Sequence, residues 1–212
     1  MYNILKGLLV PVRQKAIYLA TLLLFSLVTH AQNLTLSSGG QTGTSGTNWS
    51  TSGTNPITIS VTGAANVNTS VIEGYLNAGT SVIVTNSSVG TTINSNITKS
   101  GGGNASFTIK DIGNIKVATN ITISSSSNTL DLILWADSDN SQGGTIDDFI
   151  FINTGATIST NGGRIIMAGG PDDGTNGGTN ADGIPDGFAW NGSNSVTYGA
   201  NTVGGLTLGP LS

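Results

Sequence analysis

Cysteine is absent from this 212-residue chain, and histidine occurs only once, at position 30. Without cysteine there is no disulfide and no thiol nucleophile, and the shortage of both residue types disfavours a zinc site. Charged residues make up 8% of the sequence, whereas an average soluble domain has about 25%. Stability must therefore come from packing and from backbone hydrogen bonds.

The N-terminus has the pattern of an export signal. Basic residues precede a 13-residue run, 16–28, which is mostly apolar and is interrupted by Thr21 and Ser26, and the small residue Ala31 follows. The alternative, a membrane anchor, needs about 18 or more apolar residues in a row. We therefore expect a signal peptide over 1–31, cleaved after Ala31, and one domain over 32–212 with no membrane span in the mature chain.

Removal of this leader would leave an acidic protein. Four lysines and arginines would remain against eleven carboxylates, so the net charge of 32–212 is −7. A surface with so few cations cannot collect phosphates, so nucleic acid is not an expected partner. Anionic lipid headgroups would repel the same surface.

The chain is rich in short segments that alternate between apolar and polar residues, separated by glycine, asparagine and serine. Examples are Ile57–Val61, Ser106–Ile109, Asn120–Ile123, Leu130–Leu134 and Arg164–Met167. A two-residue period places isoleucine and valine on one face of a strand and threonine or serine on the other. A single stretch, 70–78 (SVIEGYLNA), predicts a helix of about two turns.

Two architectures fit these strands, a β-sandwich and a parallel β-helix. Sandwich hairpins favour two-residue Asn-Gly or Asp-Gly turns, whereas Gly-Gly and serine runs separate these strands. Small polar residues suit stacked corners, where asparagine side chains can form ladders. The sequence therefore favours an all-β fold, a right-handed parallel β-helix (solenoid) of about seven or eight coils, over the sandwich.

The segment 70–170 resembles the coil pattern of filamentous-haemagglutinin-like surface proteins. The similar stretches are 70–87 (SVIEGYLNAGTSVIVTNS), 96–125, 130–139 (LDLILWADSD) and 155–170 (GATISTNGGRIIMAGG). The resemblance implies an adhesin of β-helical fold, secreted or held at the bacterial cell surface. It also implies a cell-surface glycan or protein as the ligand.

The C-terminal residues 206–212 (LTLGPLS) contain no charge and no helical pattern. A solenoid needs a polar cap over its last coil, because otherwise strand edges and apolar side chains are exposed. We therefore expect the chain to be the N-terminal piece of a longer protein, truncated at its C-terminus.

Catalytic side chains are scarce in 32–212. Since His30 lies in the expected leader, Ser-His and Cys-His pairs are excluded. A glycosidase needs two carboxylates about 5–10 Å apart, but Glu73 is the sole glutamate, and neighbours such as Asp172 and Asp173 point to opposite faces if extended. Arg164 is the sole arginine after the leader. We predict a non-enzymatic protein, with a polysaccharide lyase or glycosidase as the alternative.

An acidic loop over 171–190 interrupts the strand pattern. Asn180, Asp182 and Asp186, with Gly183 among them, resemble bacterial calcium loops, because Ca²⁺ prefers aspartate and asparagine oxygens at alternate positions. We predict a structural calcium site there, with an ordinary solvated turn as the alternative. The sequence implies no required cofactor.

A second acidic segment is a weaker calcium candidate. Its ligands would be Asp137, Asp139, Ser141 and Asp148. Gln142 stands where the sharp-turn glycine of an EF-hand loop belongs, so the match is poor.

Three Thr-Ile-Ser triplets suggest a further alternative, ice binding, because outward rows of hydroxyls can match an ice lattice. They are Thr58–Ser60, Thr122–Ser124 and Thr157–Ser159. Their intervals of 64 and 35 residues do not share one repeat length, which argues against a single row. Among the aromatic residues, Trp135 is predicted to be core and Trp190 to be exposed.

Overall fold

The computed structural model describes residues 33–88, 90–139, 149–174 and 181–186, and the backbone of a short strand at 207–208. Within these residues the structure contains sixteen strands and one helix. The elements are β1 Leu34–Ser37, β2 Ser45–Gly46, β3 Trp49–Ser52, β4 Ile57–Val61, β5 Ala65–Asn68, α1 Thr69–Asn77, β6 Val82–Asn86, β7 Thr91–Ile93, β8 Ile97–Lys99, β9 Ala105–Asp111, β10 Ile115–Val117, β11 Thr122–Ser125, β12 Leu130–Ala136, β13 Ile150–Ile152, β14 Thr157–Ser159, β15 Ile165–Gly169 and β16 Thr207–Leu208.

The strands form three sheets. Sheet A has the order β13-β10-β7-β1-β5, sheet B the order β15-β12-β9-β6-β4-β3-β2, and sheet C the order β16-β14-β11-β8. From β7 to β15 the chain passes through sheets A, C and B in that order three times, and all of these strands pair in parallel. We call each such passage a round.

The prediction of an all-β, right-handed parallel β-helix (solenoid) is wrong. The protein is mostly β, but its three sheets are separate and do not close on one another, and α1 lies among the strands. Sheet B is mixed, because β2 and β3 run antiparallel where the chain reverses at Asn48, whose φ is 60°. A two-residue period shows which face of a strand is buried, but it gives neither strand direction nor sheet closure.

The β-sandwich alternative does not describe the protein either. Among the described strands, β2–β3 and β3–β4 are the antiparallel pairs, and every other pairing is parallel. Parallel neighbours need long connections instead of hairpins. The connections through the other two sheets supply this length.

The predicted alternation holds within the strands and builds the core. In sheet C, Ile97, Ile123 and Ile158 are paired in one column and are at most 1% exposed. In sheet A, Ile93 and Val117 form a similar inward column. Burying one such side chain contributes about 1.5–3 kcal/mol relative to leaving it exposed. The aliphatic columns therefore stabilise the fold.

The interval between paired residues is not constant along the chain. Thr85, Lys110 and Trp135 occupy one column of sheet B at intervals of 25 residues. The next member, Ala168, follows after 33 residues. The additional residues lie after β12, and most of that segment is outside the described part of the chain. The longer interval leaves the register of the sheets intact.

Side-chain oxygens connect one round to the next. The Asn55 Oδ1 atom accepts a hydrogen bond of 3.0 Å from the Ser81 amide, and the Ser81 Oγ atom accepts one of 3.0 Å from the Ser106 amide. At the far end of the same sheet, Asp131 Oδ1 accepts from the Arg164 amide at 2.8 Å. These bonds satisfy amides at the start of strands, where no ladder partner is present.

A column of left-handed residues lines one corner of the structure. Gly102, Asn128 and Asn161 have φ values of 68°, 58° and 51°. The Asn128 amide group donates to the Gly102 carbonyl at 2.6 Å, and the Asn161 amide group donates to the Asn128 carbonyl at 3.0 Å. Asparagine tolerates the left-handed region better than other residues with a Cβ atom. At this corner each asparagine side chain therefore bonds a backbone carbonyl of the preceding round.

The helix predicted over 70–78 is confirmed as α1. Asn68 caps its N-terminus, since the side-chain oxygen accepts from the Ser70 amide, and Gly79 follows its end with a φ of 78°. Ile72 and Leu76 are buried. In the described part of the chain, no helix has the length and apolar character needed to cross a membrane.

Candidate binding face

The outward side of sheet C carries a regular set of hydroxyl groups. Because isoleucines occupy the inward positions, five hydroxyl side chains point outward, and we call them the hydroxyl face. They are Thr98 on β8, Thr122 and Ser124 on β11, and Thr157 and Ser159 on β14.

Strand register arranges the hydroxyl face in two columns. One contains Thr98, Ser124 and Ser159, and the other contains Thr122 and Thr157. Neighbouring strands lie about 4.8 Å apart, and alternate residues of one strand lie about 6.6 Å apart. All five side chains are partly exposed. Within the described residues their hydroxyls make no hydrogen bond, so they are free to bind a partner.

The five hydroxyl side chains carry no charge, and the charged group beside them is Glu73, whose carboxylate accepts from the Thr98 amide at the β8 edge. Asn96, Ser100, Ser126 and Asn161, which flank the strands, are exposed and uncharged. Lys99 lies on β8 but points inward and is 0% exposed. The face is therefore a neutral hydrogen-bonding surface in an acidic protein.

The buried Lys99 ammonium is held by backbone carbonyls. Its Nζ atom donates to Gly101 at 2.7 Å and to Ser127 at 2.5 Å. Burial lowers the pKa of Lys99. Ser125 and Thr160, at the same end of the next two strands, also donate to carbonyls of the following turn. The side chains of Lys99, Ser125 and Thr160 therefore supply donors to the carbonyls of partly buried turns.

The outward side of sheet B is different, because part of it is covered. Ile133 and Trp135 point outward from β12 and are only 6% and 4% exposed. The Trp135 indole donates to the Gly170 carbonyl at 2.7 Å, and Lys110 Nζ lies 4.0 Å from the centre of the ring. Trp135 is buried as predicted, but it packs outside the central core. Trp190 is outside the described residues.

One buried carboxyl was not anticipated from the sequence. Asp111 ends β9 and is 0% exposed; its carboxylate accepts from Thr91 Oγ1, from Asn86 Nδ2 at 2.9 Å and from the Gly113 amide at 2.7 Å. Burial raises its pKa to about 6, although the hydrogen bonds act in the opposite direction. The alternation along β9 could have predicted this burial, because Asp111 lies two residues after Ile109 and four after Phe107, and both of these side chains point inward.

The predicted calcium ligands are only partly described. Asn180 is outside the described residues. Asp182 Oδ1 accepts from the Ile184 amide at 2.9 Å, and Asp186 Oδ2 accepts from the amides of Asp173 and Gly174 at 2.7 and 2.6 Å. Backbone amides therefore bond one oxygen of each of these two carboxylates. Over the described ranges, no three His, Cys, Asp or Glu residues are grouped to hold a metal ion. Calcium binding stays a prediction.

Other residues singled out from the sequence lie apart. In the weaker calcium candidate, Ser141 and Asp148 are outside the described residues. Arg164 flanks β15, as a corner residue would, and its guanidinium lies 2.9 Å from Asp131. Glu73 is on α1 and accepts from the Thr98 amide at 2.8 Å.

The three Thr-Ile-Ser triplets were not expected to form one row, because their intervals differ. Thr122–Ser124 and Thr157–Ser159 are in register on β11 and β14 despite the 35-residue interval. Thr58–Ser60 belongs to β4 in sheet B. The argument against a row was therefore wrong for two triplets and right for the third.

Comparison with known proteins gives no assignment for this arrangement. No family model, curated protein or solved structure matches the chain. The hydroxyl face must therefore be interpreted from its own chemistry. It can exchange neutral hydrogen bonds over a flat area, and threonine methyl groups add apolar contact.

Proposed function

We propose that this is an exported, adhesin-like surface protein that binds a partner without catalysis. The observation that carries the proposal is the hydroxyl face, an uncharged array of free hydroxyls on paired parallel strands. The buried columns beneath it hold the array rigid, and a pre-ordered surface loses little conformational entropy on binding. The export pattern of residues 1–31 and the adhesin-like segment 70–170 support the same function.

The partner that fits this chemistry best is a neutral glycan of a cell surface. Sugar hydroxyls can both donate and accept hydrogen bonds, and the Thr98 and Ser124 hydroxyls have the same capacity. An acidic protein with net charge −7 after leader removal would repel anionic polymers. A cell-surface protein remains the alternative ligand.

A screen of the purified protein against immobilised neutral and acidic polysaccharides tests this proposal. We expect retention on at least one neutral polysaccharide, unaffected by high salt because no ion pairs are involved. Retention only on acidic polymers, or loss of binding with rising salt, would contradict a neutral hydroxyl interface.

Ice binding is the second candidate, and one observation favours it. Thr122 and Thr157 are paired on adjacent strands, so their hydroxyls and methyl groups form a regular row. Thermal hysteresis in freezing-point measurements, abolished by Thr122→Lys/Thr157→Lys, would support this candidate. Its absence at high protein concentration would remove it.

A further inference from the structure

One edge of sheet C is closed by a helix. β8 pairs with β11 on one side, and its other side packs against α1, where Ile72 and Leu76 are buried. An edge strand presents free amides that can pair with a strand of another molecule. The contacts between α1 and β8 therefore decide whether this edge is available.

Two side chains of α1 take the free amides of the edge. Glu73 Oε1 accepts from the Thr98 amide at 2.8 Å. Asn77 Oδ1 accepts from the amides of Ser100 and Gly101 at 2.6 and 3.1 Å. Glu73 and Asn77 are four residues apart, so they lie on the same face of the helix. The two side chains reach the amides of Thr98 and Ser100, which are the alternate amides that a neighbouring strand would bond.

The place of α1 in the chain order supports this interpretation. In each later round a strand of sheet C stands between a strand of sheet A and one of sheet B, as β8 does between β7 and β9. α1 follows β5 of sheet A and precedes β6 of sheet B. The helix therefore occupies the place that a further sheet C strand would take.

The corresponding edges of the other sheets are also covered. In sheet B, β3 and β2 continue beyond β4 as short antiparallel strands. In sheet A, the backbone N–H of Gln41 donates to the Asn66 carbonyl at 2.8 Å, along the outer side of β5. The backbone carbonyl of Gln41 accepts from the Asn68 N–H at 2.9 Å. Among the edges that the described residues show at this end, that of sheet C is closed by side chains and the other two by backbone.

We propose that α1 is an edge cap whose Glu73 and Asn77 prevent β8 from pairing with β8 of a second copy of this chain. Pairing of identical edges gives a two-fold dimer, because the same surface is used on both copies. β8 suits such pairing because its outward residue, Thr98, is uncharged and its lysine is buried. The two acceptors are therefore a device against self-association.

Hydrogen exchange and sedimentation velocity of the double variant Glu73→Ala/Asn77→Ala test the cap. We expect exchange of the Thr98 and Ser100 amides to rise by about ten-fold or more at low concentration, since one hydrogen bond each is lost. At high concentration we expect a dimer, because without these three hydrogen bonds α1 is held on the edge by apolar contacts such as those of Ile72 and Leu76 and gives way to a second β8. Glu73→Gln is the matched control, because its amide oxygen can still accept from Thr98.

A third substitution locates the contact. The Thr98 amide points toward α1 and not toward β11, so Thr98→Pro removes the edge donor and leaves the β8–β11 ladder intact. Added to the double variant, it should restore the monomer. Unchanged amide exchange, a double variant that stays monomeric, or a triple variant that still dimerises would each overturn the proposal. If the double variant does not fold, Asn77→Ala alone, read at Ser100 and Gly101, decides by the same criteria.

Discussion

Thr122 on β11 lies directly opposite Thr157 on β14, although 35 residues separate them in the chain. The register survives the longer interval because the additional residues follow β12, outside the strands that pair. A rigid sheet can therefore keep its outward hydroxyls aligned while the connections vary in length.

The pH dependence of stability should carry a contribution from Asp111. Its pKa rises on folding to about 6, above the unfolded value of about 3.9. Its stabilising contribution is therefore complete below about pH 4 and is lost as the pH rises through about 6, by about 3 kcal/mol in total. Urea unfolding of the wild type and Asp111→Asn between pH 4 and 7.5 measures it.

The difference in the free energy of unfolding between the wild type and Asp111→Asn reports on Asp111 alone, because the other carboxylates are the same in both proteins. The variant should lose relatively more stability at pH 4 than at pH 7.5. Parallel pH profiles for the two proteins would show that the Asp111 pKa is not raised in the folded state.

Lys99→Met should destabilise the protein by about 1–3 kcal/mol, because the Gly101 and Ser127 carbonyls lose their buried donor. Lys116→Met is the matched control, since Lys116 is exposed on β10 and should change stability by less than about 0.5 kcal/mol. Chemical denaturation at neutral pH compares them. Equal effects of the two substitutions would contradict the proposed role of the Lys99 ammonium.

The pKa of Lys99 adds a second test in alkaline solution. Because burial lowers this pKa in the folded state, the unfolded chain binds more protons between the lowered value and about 10.4, and stability gains with rising pH in that window. Lys99→Met should lack this gain. Its persistence in the variant would assign the gain to another group.

Substitutions at Asn128 should separate backbone conformation from hydrogen bonding. Asn128→Gly keeps the left-handed φ available and loses mainly the bond to Gly102, at about 1 kcal/mol. Asn128→Ala adds a left-handed Cβ, at about 1–2 kcal/mol more. Thermal unfolding of both variants checks the order. An alanine variant as stable as the glycine variant would mean that the corner imposes no left-handed conformation.

The sequence was sufficient for the local structure. The period of two predicted the inward isoleucines of sheet C, and the apolar spacing in 70–78 predicted α1. Both follow from the contrast between buried and exposed side chains, which is local information. The prediction that Trp135 is core came from the area that a tryptophan buries, and the structure buries the ring outside the central core.

The arrangement of the sheets could not be obtained in this way. Antiparallel pairing of β2 and β3 depends on a reversal at Asn48 that many Ser/Thr/Gly-rich segments could make. Alignment of Thr122 with Thr157 depends on where the additional residues lie, and Glu73 meets Thr98 only after α1 has packed on the edge. These are relationships between distant segments, which periodicity does not encode.

Paired lysine substitutions test whether the hydroxyl face binds the partner. Ser124→Lys/Ser159→Lys places two charges opposite each other on the hydroxyl face, and Thr35→Lys/Asn66→Lys does the same on the outward side of sheet A. Retention on the neutral polysaccharide found in the screen is measured for both. We predict at least about a ten-fold loss for the first pair, equivalent to 1.4 kcal/mol, and wild-type retention for the second. Equal retention of the two variants would contradict the account.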